Sequence, residues 1–357
     1  MSASRLLLSG LGALTWEGAG LDAVSRALAG TAAPFAREEP IDGLGVEVGR
    51  IGRIKDPDSA RSYKRWGQLD TYSRYGFVAA RMALEDAGLE GAQEDRDRIG
   101  VLLGTSFGCM EENQRFDRYE IVDGTVKGAS PLVFKGTVDN APAGWIAVAW
   151  KLRGPNATFV SGSGSSLEAL WSAEGLLRRD RARALLVGGV ERFSDLHLLL
   201  ADSKDGRHGG RLAEGAGIVV VEREDSLRSR GRSAQDAHAE LVGVARCSGS
   251  LPAALPRALR QLGVSVAEVG LLSVAMPSLE DLPEGLAEEL APRAKIVAEK
   301  EYLGESHGAF GGLALSAAIC RLDKEGTGWQ GLPLAVIHVF GEARENFFAV
   351  LRATKGT

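Results

Sequence analysis

The sequence predicts an α/β fold made of two related halves. Short apolar runs alternate with stretches of helical periodicity, which is typical of sheets buried between helices. The order also repeats weakly: a helix ending in DAGL (86–89) and a helix ending in QLGV (261–264) each precede an apolar strand. Each half then has a Gly-rich turn that opens a helix. We therefore expect halves spanning 1–225 and 226–357, joined at the polar stretch 225–236.

The predicted strands are apolar runs that are too short for helices and are bounded by Gly, Asp or Arg. They cover residues 6–8, 99–103, 184–187 and 217–221 in the first half, and 239–244, 271–275, 295–298 and 334–339 in the second. Ser9, Gly10 and Gly12 break up the N-terminal run. We therefore interpret that run as a buried strand rather than as a signal peptide.

Helical periodicity fills the intervals between the strands. The predicted helices cover residues 73–87, 165–179, 252–262 and 311–322. Gly88 and Gly263 follow two of them, where a glycine commonly ends a helix.

Composition narrows the class of function. The chain has 357 residues and a net charge of −5, which argues against a nucleic-acid partner. No apolar run approaches the ~18 residues of a membrane span, so no membrane partner is expected. Three cysteines, Cys109, Cys247 and Cys320, lie far apart and match neither a metal site nor a disulfide framework. We expect no cofactor or metal, and a location in the reducing cytoplasm.

The turn SGSGSS at residues 161–166 is the strongest local signal. It follows a β-like run at 157–160 and precedes a helix, which is the geometry of a nucleophile elbow. The first amides of such a helix stabilise an anion. On this turn alone, a simpler interpretation is that Ser165 or Ser166 caps the helix and the glycines make the turn. The turn lacks the Gly-Lys-Ser/Thr of a phosphate-binding loop.

Residues 151–170 (KLRGPNATFVSGSGSSLEAL) resemble the active-cysteine segment of the beta-ketoacyl synthase (ketosynthase) family, where LRGP, a strand and ACSSSLxAL follow in that order. Further blocks agree with the family in order and spacing: 101–108 (VLLGTSFG), 139–144 (DNAPAG), 188–191 (GGVE), 212–217 (LAEGAG), 300–311 (KEYLGESHGAFG) and 340–346 (FGEAREN). The resemblance covers nearly the whole chain. It implies a thiolase-like fold in a layered αβαβα arrangement, with Ser163 at the cysteine position.

The catalytic histidines of the resembling family are missing too. The first belongs in the region 271–280, which contains no histidine and looks shortened. The second slot holds Glu305, and His307 lies two positions beyond it. Lys300 is retained. The resemblance therefore implies that Ser163 and Glu305 occupy vacated catalytic slots.

Two other segments depart from the family. Ala343 and Arg344 replace the paired glycines of the closing loop, and Glu342 stands where a gating phenylalanine is usual. Segment 192–211 is shorter than in the family, as are the loops of the second half.

Ser163 would need an adjacent base to act as a nucleophile. A helix N-terminus supplies up to ~2 kcal/mol, which is about 1.5 pKa units and too little for a hydroxyl. Glu305 and His307 are the candidate bases. We expect structural roles for His238 and His338, and we place His208 in a polar loop.

The resemblance is strongest to the chain length factor, the non-condensing partner of a cysteine-bearing ketosynthase in type II polyketide or aryl-polyene systems. It implies a heterodimer that receives chains from an acyl carrier protein, with residues 156–160 pairing across a two-fold axis. Residues assigned to the acyl tunnel or the interface are Phe107, Cys109, Met110, Phe134, Asn156, Val160 and Glu342. Ordinary core packing remains open for the first four.

Two other functions also remain open. One is an acyltransferase or thioesterase that uses Ser163 on acyl-carrier-protein thioesters. The other is a malonyl decarboxylase that needs no nucleophile.

Overall fold

The computed structural model describes most of the chain. The described residues are 4–30, 39–40, 47–48, 51–54, 62–91, 95–123, 130–202, 212–284, 286, 294–322, 326, 328–342 and 345–354. His208, Ala343 and Arg344, and part of segment 192–211, lie outside them.

The described strands are numbered along the chain. They are β1 Leu6–Thr15, β2 Gly18–Ala19, β3 Glu39–Pro40, β4 Glu47–Val48, β5 Ile51–Gly52, β6 Ile99–Thr105, β7 Asn156–Val160, β8 Ala184–Glu191, β9 Leu212–Ala213, β10 Gly215–Arg223, β11 Ala239–Ser248, β12 Val269–Val274, β13 Lys295–Ala298, β14 Leu334–Phe340 and β15 Glu345–Arg352. All eight predicted strands are present. The sequence did not predict β15, whose apolar run adjoins the closing motif.

The described helices are numbered in the same way. They are α1 Leu21–Leu28, α2 Thr71–Asp86, α3 Met110–Asp123, α4 Pro131–Phe134, α5 Ala141–Trp150, α6 Ser165–Arg178, α7 Asp195–Asp202, α8 Glu224–Ser229, α9 Leu251–Gln261, α10 Lys300–Leu303 and α11 Phe310–Cys320. The predicted helices correspond to α2, α6, α9 and α11. No helix in the described part of the chain is long and apolar enough to cross a membrane.

The main sheet repeats one topology twice. Its order is β13-β12-β14-β15-β11-β1-β10-β8-β6-β7, with β2 beside β1. Each set of five has two antiparallel pairs followed by two parallel pairs: β1/β10, β10/β8, β8/β6, β6/β7 in one, and β11/β15, β15/β14, β14/β12, β12/β13 in the other. The sets join where β1 pairs with the start of β11. We propose that the halves divide as predicted, at residues 225 and 226, because this repeat lies on either side.

Alternating strand residues build the layers. Along β6, Leu102 belongs to a core shared with α6, α11 and the second half, whereas Val101 and Leu103 face α2 and α5. Along β14, Ile337 joins the shared core and Val336 faces α9. Both faces of each five-stranded unit are therefore covered, and the predicted layered α/β architecture is confirmed.

The glycines that interrupt the first apolar run let α2 lie directly on β1. A Cβ atom on Gly12 would stand 1.9 Å from the carbonyl oxygen of Ala79, and one on Gly10 would stand 2.1 Å from that of Ala83. Every residue of β1 is buried, as expected for a first core strand.

Candidate functional site

Ser163 lies in a single 3-10 turn, Gly162–Gly164, between the end of β7 and the start of α6. Its side chain is partly exposed, and its hydroxyl has no hydrogen-bond partner among the described residues. Gly162 has a φ of 69°, a left-handed conformation that favours glycine. A Cβ on Gly164 would stand 2.9 Å from the Cα of Gly341. The left-handed φ therefore explains Gly162, and tight backbone packing explains Gly164.

The serine after the turn acts as an anchor rather than as a helix cap. The N-cap of α6 is Gly164, so the interpretation of Ser165 or Ser166 as the cap is wrong. The Ser165 hydroxyl instead bonds to the carbonyl oxygens of Thr105 (2.8 Å) and Gly162 (2.6 Å), and accepts from the amide of Ser161 (3.0 Å). It is buried at the junction of β6 and the turn, where a capping geometry is not available.

Glu305 forms a buried ion pair with Lys300. The Lys300 ammonium donates a short hydrogen bond to Glu305 Oε2, and both side chains are less than a tenth exposed. Glu305 Oε1 accepts from the amide of His307 (2.8 Å) and lies 3.7 Å from His307 Nδ1. Gly304 makes this contact possible, because its φ of 79° turns the chain back after α10.

The charge on Glu305 is fixed. Burial by itself would raise the pKa of this carboxyl, but the neighbouring Lys300 and His307 outweigh it and lower the pKa to about 2. So acidic a group is a poor general base at neutral pH. The geometry therefore argues against Glu305 as an activator of Ser163.

His307 belongs to a buried aromatic cluster. Its ring centroid lies 5.2 Å from that of Phe107, 5.8 Å from that of Phe193 and 5.1 Å from that of His197. His197, on α7, packs against Phe107 with ring centroids 3.7 Å apart and against Phe193 at 4.4 Å, with the rings tilted in both pairs. The turn His307–Ala309 also packs against Gly162–Gly164, which places His307 beside the Ser163 turn as the sequence suggested. The sequence reasoning missed His197, because no motif surrounds it.

Glu191, the last residue of β8, links the end of β6 to the turn that contains His307 through hydrogen bonds. It is fully buried and accepts hydrogen bonds from the amides of Ser106 (2.8 Å), Phe107 (3.1 Å) and Gly308 (3.0 Å) and from the Thr105 hydroxyl (3.1 Å). Burial raises the pKa of this carboxyl to about 7 against the opposing effect of these donors. Glu191 belongs to the GGVE block of the sequence. Its position at the end of a predicted strand was the signal that could have identified it as a site residue.

Region 271–280, where the resemblance places the first histidine, contains no histidine. After β12 the chain forms a 3-10 turn, Leu279–Asp281, capped by Ser278. His338 lies on the neighbouring β14 with Nε2 2.9 Å from Asn346 Oδ1, and burial lowers its pKa to about 4. It is therefore neutral and packed into the core, in keeping with a structural role.

His238 also makes a structural contact. It precedes β11 and holds Asp86 on α2, with its Nε2 2.6 Å from Asp86 Oδ2.

The residues assigned to the tunnel are only partly brought together. Phe107 faces the histidine rings, and Cys109 is buried nearby with its thiol 3.2 Å from Asp139 Oδ1. Burial, and then Asp139, raise the pKa of Cys109 to about 12, so the thiol is unreactive. Met110 is half-buried at the start of α3, whereas Phe134 is 60% exposed and contacts Phe116.

Glu342 lies over the Ser163 turn. A Cβ atom on Gly162 would be 3.4 Å from Glu342 Oε1. Glu342 is exposed, whereas Glu305 is buried.

Asn156 and Val160 are the two ends of β7, the outermost strand of its half-sheet. Both are exposed, and in the described part of the chain β7 pairs only with β6.

The fold is thiolase-like, and Ser163 lies in the turn between β7 and α6. Residues 51–226 match the family model of the beta-ketoacyl synthase N-terminal domain. The chain is 25% identical over 365 residues to 3-oxoacyl-[acyl-carrier-protein] synthase 2 of Vibrio harveyi, covering 90% of this chain and 86% of that protein.

Solved structures agree. The ishigamide ketosynthase/chain length factor superposes with a TM-score of 0.81 at 19% identity, covering 99% of this chain and 100% of that one. A type II PKS ketosynthase in complex with its acyl-carrier protein gives 0.82 at 18%, covering 99% and 100%. A ketosynthase in complex with its chain length factor from Xenorhabdus doucetiae gives 0.78 at 18%, covering 98% of each chain. The chain thus has the ketosynthase fold, and residues 51–226 are similar in sequence to the N-terminal domain of beta-ketoacyl synthases.

Proposed function

We propose that this protein is a non-condensing ketosynthase-like subunit, of the chain length factor kind, that pairs with a cysteine-bearing ketosynthase. The observation that carries the proposal is the buried Lys300–Glu305 pair. Condensation needs a nucleophile and hydrogen-bond donors aimed at a developing oxyanion. Here a carboxylate with a pKa of about 2 uses the Lys300 donor internally and repels an oxyanion or a malonyl carboxylate.

The open edge of β7 supports a paired assembly. The carbonyl of Pro155 accepts from Val101 on β6, so in an extended strand the backbone groups of Asn156, Thr158 and Val160 face away from β6. An open edge is normally covered or protected. Large apolar side chains are exposed on β7 itself at Val160 and at Val148 on α5, which packs against β7. Leu132, Phe134 and Val138 are also exposed, in the segment that precedes α5 in sequence. Such a combination marks a protein interface.

The similar solved structures support a ketosynthase and an acyl carrier protein as the kinds of partner. They include a ketosynthase with its chain length factor and a ketosynthase with its acyl-carrier protein. A cavity of about 640 Å³ adjoins Phe193 of the aromatic cluster, and Arg53, Arg115, Arg118 and Arg192 are among its lining residues. Glu111, Asp117 and Asp195 also line it, so the charge of the lining is mixed and does not by itself select an anionic carrier protein.

Co-expression with a cysteine-bearing ketosynthase tests the proposal. We expect a stable 1:1 complex by size-exclusion chromatography with light scattering. Thr158→Pro removes one outward backbone N–H from β7 and should abolish the complex, whereas Thr158→Val keeps the N–H and should retain it. A stable homodimer of this chain that ignores ketosynthases would overturn the proposal.

Acyl transfer by Ser163 is the second candidate, because the His307 turn packs against the Ser163 turn. Incubation with an acyl thioester followed by intact-protein mass spectrometry separates the two. Under our proposal no adduct forms. A stoichiometric adduct that Ser163→Ala removes would establish the second candidate instead.

A further inference from the structure

Arginines stand in a row along the end of the first half-sheet that is opposite to Ser163. Strands β6, β7 and β8 are parallel, so their first residues share this end. Backbone hydrogen bonds link the segments side by side: Arg153 N to Arg96 O (2.8 Å), Arg183 N to Arg98 O (2.9 Å) and Arg223 N to Arg183 O (3.1 Å). Arg5 follows next, since Leu6 pairs with Arg223. We call Arg153, Arg96, Arg98, Arg183, Arg223 and Arg5 the arginine row.

Carboxylates partly neutralise the row. Asp97 pairs with Arg153, Asp180 with Arg98 and Arg223, Asp225 with Arg223, and Glu224 with Arg5. Every one of these pairs has at least one side chain that is about 40% exposed or more, so each contributes little to folding stability.

Three exposed arginines at the α6–β8 turn have no such partner. Arg179, Arg181 and Arg183 lie within five residues of sequence, and none has a carboxylate within 4.0 Å in the described ranges. Fold stability gives no reason for this accumulation in a chain whose net charge is −5. It concentrates positive charge on one end of the molecule.

The arginine row is separate from the Ser163 site. Strands β6 and β8 contain seven and eight residues, and at about 3.3 Å per residue they hold the two ends about 20 Å apart. Whatever binds there approaches a different face from the cavity beside Phe193.

We propose that the arginine row, with Arg179 and Arg181, docks an acidic segment of a partner protein. Five adjacent chain segments at about 4.8 Å spacing give a basic strip about 20 Å long, which fits one side of a short acidic helix or strand. Guanidinium groups bind carboxylates bidentately and so recognise this chemistry with defined geometry.

The residues around the arginine row favour an acidic protein segment as the ligand over an anionic membrane or a nucleic acid. The segments 95–98, 178–183 and 223–232 contain none of the exposed large apolar side chains that would anchor a basic face in lipid. Asp97, Asp180 and Asp225 lie between the arginines and would repel a continuous phosphate backbone. A protein segment can place its own side chains to avoid these carboxylates. The inference holds whether or not Ser163 is catalytic.

The test measures binding of a fluorescein-labelled peptide of four Glu-Ala-Ala repeats, whose carboxylates are spaced apart, to the full chain by fluorescence anisotropy. The triple variant Arg179→Glu, Arg181→Glu, Arg183→Glu should weaken binding at least tenfold. The control Arg26→Glu, Arg65→Glu, Arg260→Glu makes the same change in net charge at exposed positions elsewhere and should weaken it less than twofold. Thermal melting of both variants verifies that each is folded.

Three outcomes would overturn the proposal. The first is no measurable binding of the peptide to the unmodified protein at low salt. The second is an equal loss in both triple variants, which would mean that only net charge matters. The third is tighter binding to phosphatidylglycerol–phosphatidylcholine vesicles or to a 20-mer DNA duplex than to the peptide, with that binding lost in the first triple variant.

Discussion

The Lys300 ammonium and the Glu305 carboxylate form a buried, hydrogen-bonded pair across a five-residue separation. They meet only because α10 ends at Leu303 and Gly304 reverses the chain. A histidine in the place of Glu305 would offer a neutral donor to a bound carbonyl, whereas the carboxylate offers only acceptors. Lys300 and Glu305 therefore form a closed ion pair with no free donor on the carboxylate.

Removing one partner of this pair should be costly, and removing both should not. Lys300→Met or Glu305→Leu alone leaves a buried charge uncompensated, so for each we expect a loss of about 3–5 kcal/mol in the free energy of unfolding. The double variant Lys300→Met, Glu305→Leu should lie within about 1–2 kcal/mol of the unmodified protein. Urea denaturation of the singles and the double completes the cycle. A coupling energy near zero would show that Lys300 and Glu305 do not stabilise each other in the folded protein.

His338 should give the protein a dependence of stability on pH. Burial lowers its pKa to about 4 in the folded protein, below its usual value of about 6.5, so the unfolded chain binds more protons between these values. The free energy of unfolding should therefore fall as the pH drops from about 6.5 to about 4, by up to about 1.4 kcal/mol per pH unit.

The control is the His338→Gln variant, for which the free energy of unfolding is measured against pH in the same way. The variant keeps a donor for Asn346 Oδ1 but cannot titrate. Comparing urea denaturation of the two proteins across this pH range isolates the contribution of His338, since Glu191 and Glu305 titrate in both. Identical slopes would show that His338 is protonated in the folded state or is solvated.

Gly12 should not tolerate a side chain. A Cβ atom there would collide with the carbonyl of Ala79 and push α2 off β1, so Gly12→Ala should cost about 3 kcal/mol or more. Gly144, inside α5, has open space around its Cβ position, and Gly144→Ala should be neutral or stabilise by up to about 1 kcal/mol. Thermal melting compares the two. Equal effects would mean that α2 and β1 are less closely packed than the structure shows.

The sequence located the strands because strands depend on local pattern: apolar runs mark strands that are buried on both faces. The order of the Gly-rich blocks assigned Ser163 and Glu305 to catalytic slots, and that assignment stays a prediction. The sequence could not place His197, because the fold of α7 over the site brings that ring to His307. It also did not pair Lys300 with Glu305, since the reversal at Gly304 has no signature beyond a single glycine. Local sequence pattern therefore could not predict contacts between residues that only the tertiary fold brings together.

The apolar surface beside β7 should decide assembly with a ketosynthase. Val148 and Val160 are 54% and 52% exposed, although valine side chains contribute about 1.5 kcal/mol or more when buried. In an interface, Val148→Asp with Val160→Asp would lose this burial and place two carboxylates out of water. We expect the Kd for the partner ketosynthase to rise by about 100-fold or more, measured by biolayer interferometry. Leu279→Asp, at an exposed leucine in the second half, should leave the Kd unchanged. If the valine variant bound as tightly as the unmodified protein, the partner would have to use another face of the molecule.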